Sequence, residues 1–280
     1  MSDNITIEIM IFDGNPNGLI MSDLGMSSCR AYKVSRNEIH QLSNREDSEN
    51  AGVYFLFGKN DENEDTVYIG ESENIYTRLK QNLKSKDYWY DCIAVISKDK
   101  TLNKAHVKYL EHAFYSLAKE SGRAIISQNK PTCSSLSEYD ETKLKKFINH
   151  ARLLVNTLGF KVFDSIDETT ATINNMKILF FIKAARGANA KGMVVTDGFV
   201  VLKDSKIANT TTPSMTDNLI RHRKSLYEKG IIDKKHSFVR DHVFTSPSLA
   251  ASIVMGRNAN GLTEWKTDDR KTIKEIEDGI

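Results

Sequence analysis

Two side chains in the first half of the chain are of kinds that handle phosphate esters. Glu111 follows Leu110 and lies four residues after Val107, so it flanks the apolar stripe Val107, Leu110, Phe114 and Leu117 of a helix expected over residues 104–119. A carboxylate at that border is costly to bury unless something compensates its charge. A divalent cation would do so, and a hard oxygen ligand suits Mg²⁺ or Mn²⁺; the plainer alternative is a Glu that reaches a neighbouring lysine at the surface. Arg78 carries a planar, permanently charged fork matched to a phosphate, or is simply a surface arginine of its helix. A third feature lies far downstream. Between Arg221 and Arg240 stand seven basic residues (Arg221, Arg223, Lys224, Lys229, Lys234, Lys235 and Arg240) against only Glu228 and Asp233. A compact basic patch is what a polyanion needs, because each neutralised phosphate releases counterions; it could equally be a solvated helix face.

The elements that must position these groups follow from pattern. Residues 4–12 alternate as a strand, end in the turn-rich run Asp13 to Gly18, and can pair back with residues 19–24. A short helix is expected over 35–42 and a hairpin over 52–70, with the acidic stretch 60–65 as its loop. Helical spacing of Ile75, Leu79 and Leu83 puts Arg78 on a helix over 74–83, and residues 91–97 read as a buried strand. The Ser- and Thr-rich stretch 131–137 is the clearest break between domains. An amphipathic helix over 140–158 follows it and could pack on either side. Strands are then expected at 178–183, 193–195, 199–202 and 238–244, with Asp197-Gly198 as a hairpin turn. The basic window begins on a helix over 214–229, and Ser246-Pro247 opens another over 248–255.

Within this frame the hairpin carries Gly52-Val53-Tyr54 and Tyr68-Ile69-Gly70; Arg78 comes ten residues after Tyr68, then Glu111, then Asn129-Lys130-Pro131. In order and in expected secondary structure, residues 51–131 resemble the GIY-YIG nuclease family. The resemblance implies hydrolysis of phosphodiester bonds in DNA with one metal, Mg²⁺ or Mn²⁺. Tyr68 would act as, or help activate, the general base, and Tyr54 would orient the attacking water. Arg78 would stabilise the pentavalent transition state, Glu111 would hold the metal, and Asn129 would brace the site. Taken singly, the tyrosines are ordinary strand residues and Asn129 an ordinary turn residue. A tyrosine is a poor base at its usual pKa of about 10, so a cation must draw off its proton. The chain departs from parts of the family in having Glu71 and Ser72 where some members have a basic residue. It also has Asn82 where others have a histidine, which leaves the identity of the base open.

The run Phe244 to Trp265-Lys266, with Ser246-Pro247-Ser248 and Asn260-Gly261, is similar to a small uncharacterised domain found after such nuclease modules in bacteria. It is more loosely similar to one beside restriction-system methylases. That company implies restriction-like defence against foreign or modified DNA, with Arg221, Arg223, Lys224, Lys229, Lys234 and Lys235 on the DNA. Trp265 reads either as a core anchor or as a platform for stacking bases.

The expected fold class is α/β (α+β). A β-rich extension over 1–48 leads into a small mixed-sheet nuclease domain over 49–135. A connecting helix over 136–160 and an α+β recognition domain over 161–280 complete the chain. Composition sets the outer bounds. The 280 residues carry 39 Lys+Arg against 37 Asp+Glu, a formal charge of +2, yet residues 1–50 stand at −4 and residues 151–280 at +5. Three cysteines without CxxC spacing rule out a disulfide framework or cysteine zinc finger as the organising feature. No apolar stretch approaches the ~20 residues of a membrane span and no signal peptide is evident, so no membrane partner and a cytoplasmic home are expected. The histidines show no ligand-pair spacing, and no nucleotide-binding loop is present. The leading reading is a metal-dependent DNA endonuclease, with RNA an alternative substrate and a homodimer one way to cut both strands. Against it stand a catalytically silent nucleic-acid-binding protein that reuses the fold, and a nuclease of repair or mobile-element movement.

Overall fold

The computed structural model describes residues 4–25, 27–61, 63–164, 178–196 and 198–279. They form two compact units, 1–165 and 166–280, each of mixed α and β structure. No helix among the described residues is long and apolar enough to cross a membrane.

Unit 1 is built on a seven-stranded sheet. Its strands are β1 (Glu8–Ile11), β2 (Ile20–Asp23), β3 (Cys29–Ser35), β4 (Gly52–Lys59), β5 (Asp65–Ser72), β6 (Trp89–Ser97) and β7 (Ile125–Ile126), in the order β1-β2-β3-β6-β4-β5-β7. All neighbours are antiparallel except β5 and β7. β4 is apolar on both faces because both are covered, the signature of a central strand. On one face lie Tyr54, Leu56, Ala94 and Trp89, under α1 (Ile75–Ser85) and a 3-10 segment over Arg36–Asn44. The other face carries Val53, Phe55, Ile69 and Val95, which pack with Leu110, Phe114, Phe147 and Leu154 of α2 (Lys104–Ser121) and α3 (Glu138–Thr157).

Local chemistry sets the helix starts. Asn74 caps α1 by accepting from the Thr77 amide. Asn103 and His106 form a capping box at the head of α2, which gives His106 a structural task. The amphipathic helix after the Ser-rich stretch is α3, and its apolar face belongs to the core of unit 1. The break therefore falls after this helix, not at residues 131–137. Residues 8–35, expected as an extension, supply three strands of the same sheet.

Unit 2 holds a four-stranded antiparallel sheet, β8 (Phe180–Lys183), β9 (Asn189–Val195), β10 (Gly198–Val201) and β11 (His242–Phe244), in the order β11-β10-β9-β8. Among its described residues the helices are α4 (Asp217–Glu228), α5 (Pro247–Met255), α6 (Gly261–Glu264) and α7 (Ile273–Glu277). Ser246 caps α5 with Pro247 at the first helical position, and Gly256 ends it at φ +63°, a left-handed conformation that favours glycine. Phe180, Ile182, Phe199, Phe244, Val254 and Trp265 make its core. Of the expected Asp197-Gly198 turn, Asp197 lies outside the described residues.

Candidate functional site

Strand register brings the two tyrosines of unit 1 together. Tyr54 on β4 pairs with Gly70 on β5, and Tyr68 lies two residues before Gly70, so both rings point to the same face. Their centroids are 6.2 Å apart with the planes inclined by 28°. Gly70 is what lets Tyr54 lie flat across β5: a Cβ there would overlap the Tyr54 Cζ and Oη. α1 then delivers Arg78, whose Nε donates to the Tyr54 hydroxyl at 3.3 Å. The remaining guanidinium is exposed and makes one bond to Gln81, 3.2 Å.

Tyr54 is buried, and burial is the main cause that pushes its pKa up to about 12; the neighbouring Tyr68 adds to this, while Asn82 and Arg78 oppose it. At neutral pH it is a phenol whose oxygen accepts from Arg78 Nε. Asn82 is buried beside the same hydroxyl. Tyr68 is half-buried, with the Lys86 ammonium 4.2 Å from its ring centroid. Tyr88, on the same side, bonds Ser127 at 2.9 Å.

Glu111 rises from α2 beside the end of β5. It is half-buried, and among the described residues its carboxylate has no hydrogen bond or ion pair. Burial first, then the nearby Glu71 carboxylate, raises its pKa to about 7, against the opposing charges of Lys104, Arg78 and Lys108. Glu71 itself is paired with Lys104 at 2.8 and 3.0 Å and also lies within electrostatic reach of Arg78. Tyr54 thus meets both Tyr68 and Arg78, while Tyr68 and Glu111 lie within electrostatic reach of Arg78. Asn129 is exposed and makes no bond to the other four. Its neighbour Gln128 braces the site instead: its amide accepts from Ile69 N at 2.6 Å and donates to Ile69 O at 2.5 Å, between the two residues Tyr68 and Gly70. Nothing in the sequence marked Gln128, because a side chain that completes a strand's backbone bonds has no local pattern.

The cation expected at this site can be tested against its donors. Among the described residues no group of three or more His, Cys, Asp and Glu side chains converges. One half-buried, uncompensated carboxylate with a second nearby is the kind of donor set that suits Mg²⁺, which keeps most of its water and is completed by substrate phosphate. The residues present fit such an ion.

In unit 2 one member of the basic window is turned inward. Arg221, Lys224, Lys229, Lys234 and Lys235 are exposed; Arg221 bonds Asn218, and Lys224 pairs with Glu228 at 3.5 Å. Arg223 corrects the expectation of a basic row. It is buried, donating to the Ile253 carbonyl at 2.7 Å and to the Ala208 carbonyl, so its charge ties α4 to the core rather than to a ligand. Trp265 is fully buried, stacks near Phe199 and donates to the Pro247 carbonyl at 3.0 Å; it is a core anchor.

Comparison with known proteins adds one match. Residues 180–277 match a family described as a domain of unknown function, DUF4357. No curated protein and no solved structure matches the chain.

Proposed function

We propose that unit 1 is a metal-dependent endonuclease that hydrolyses phosphodiester bonds in DNA, as its resemblance to GIY-YIG nucleases implies. The observation that carries the reading is the constellation Tyr54, Tyr68 and Arg78 on one sheet face, beside a carboxylate that burial leaves in want of a cation. Arg78 presents an exposed guanidinium, shared only with the exposed Gln81 side chain, to the charge that would build on phosphorus in the transition state. Tyr54, held by Arg78, donates a proton toward a phosphate oxygen or the attacking water and is unsuited to the role of base. Tyr68 is left as the candidate base, a role that requires a cation first to draw off its own phenolic proton. Glu111 would hold Mg²⁺ or Mn²⁺, which as a Lewis acid would polarise the phosphate and acidify water.

The test is nicking of supercoiled plasmid in Mg²⁺. Arg78→Ala and Glu111→Ala should each lower the rate by about 10³-fold with DNA binding largely kept; undiminished cleavage by both would falsify the assignment. Glu71 held by Lys104 favours one other reading, a silent binding protein. That reading wins if the wild type cuts no DNA or RNA substrate with any divalent cation yet binds nucleic acid.

A further inference from the structure

Lys183, Lys191, Lys206 and Lys266 are distant in sequence, yet the register of unit 2 collects them. Residues paired across an antiparallel bridge share a face, as do residues i and i+2 of one strand. Lys183 pairs with Asn189, Asn189 with Lys206, and Lys206 with Ser237. In the adjacent row Lys191 pairs with Phe181, Phe181 with Lys266, and Lys266 with Thr272. Phe181 precedes Lys183 by two residues and Asn189 precedes Lys191 by two, so both rows lie on one face. The intervening Phe180, Ile182 and Ala190 point into the core. All four lysines are exposed, and Phe181 is half-buried among them. Lys183, Lys191 and Lys206 have no acidic partner among the described residues, whereas Lys266 has Glu275 nearby.

Neighbours within such a row are about 5 Å apart and the rows about 7 Å apart. Cations at this pitch around an aromatic ring are what a single strand needs: charge along the backbone and a π-face for a splayed base. Beyond Lys191 the same face is closed by the buried apolar residues Met193, Val195 and Val200, so its exposed part is the lysine end around Phe181; a duplex keeps its base faces stacked away from such a ring. We infer that this face of unit 2 binds single-stranded DNA. The inference does not depend on catalysis by unit 1, since a silent chain would carry the same surface.

Anisotropy of a labelled oligo-dT, titrated with the full chain in EDTA across salt concentrations, tests it. Replacing Lys183, Lys191 and Lys206 together by alanine should weaken binding about 100-fold at 0.1 M salt and flatten the log–log salt slope by about 2, at ~0.7 per phosphate lost. The matching triple arginine variant should keep both. Phe181→Leu should weaken binding about 10-fold with the slope unchanged, and Phe181→Tyr should restore it. Arg221→Ala with Lys224→Ala on α4 should change little. Thermal midpoints confirm that each variant folds, and lysine-to-glutamine exchanges repeat the measurement should the alanine triple melt early. The inference is overturned if the lysine triple binds like the wild type. It is equally overturned if duplex binds tenfold tighter than oligo-dT and that affinity is lost on neutralising α4.

Discussion

Glu111 shows how a single group can report on its own surroundings. Folding raises its pKa from the ordinary 4.5 to about 7, so as pH climbs the unfolded chain sheds this proton before the folded chain does. The stabilising contribution of the protonated form is therefore whole below about 4.5 and lost as pH rises through 7. Glu111→Gln is neutral throughout. Its thermal midpoint should exceed the wild type's at pH 8 by on the order of 2 °C and match it near pH 4. Mg²⁺ at pH 8 should lift the wild type and leave the glutamine variant unmoved. Scanning calorimetry at the two pH values decides it, and equal differences at both would show that Glu111 feels no such field. Tyr54, Arg78 and Glu111 were visible in the sequence because their order and helix or strand placement are one-dimensional features. Arg223 was not: its helix position is the same kind as Arg221's, and only the closeness of the Ile253 and Ala208 carbonyls sends it inward.

The β4–β5 hairpin is the element on which the candidate site depends, and of its three glycines Gly70 is as constrained as the tyrosines. Because a Cβ at Gly70 would overlap the Tyr54 ring, Gly70→Ala must push that ring off β5 and break its bond with Arg78. Overpacking of this kind costs about 1–3 kcal/mol. Nicking should fall at least tenfold with the chain still folded, measured beside far-UV circular dichroism. Unchanged nicking would mean that the position of Tyr54 is immaterial. The hairpin and α1 to α3 were readable because each has a clean period or cap. β3 (Cys29–Ser35) was missed although it is the strand that joins the N-terminal hairpin to β6. Its Arg30 and Lys33 interrupt any apolar alternation, and Arg30 is tolerated only because Asp23 and Asp47 pair with it at 2.6 and 2.7 Å. β7, two residues long, owes its existence to β5 alone and leaves no trace in sequence.

Dividing the charge by unit gives the near-neutral total a physical meaning. Residues 1–165 carry 21 Lys+Arg against 23 Asp+Glu, and residues 166–280 carry 18 against 14, so −2 and +4 underlie the +2 of the whole. On the proposed reading a polyanion would be drawn mainly to the second unit, while the first would bring Arg78 and the half-buried Glu111 carboxylate to bear on one phosphate. Each unit has its own sheet and its own apolar core, the condition for a piece of this size to fold alone. Residues 4–164 expressed alone should therefore nick plasmid in Mg²⁺ with weak affinity and a shallow salt dependence. Residues 178–280 alone should bind oligo-dT with most of the salt slope of the full chain and cut nothing. Plasmid nicking and anisotropy on the two purified pieces give both readouts, with circular dichroism to establish that each is folded. A folded first piece that binds as tightly and as salt-dependently as the whole would place the nucleic-acid surface in unit 1 and remove the division of labour argued from charge.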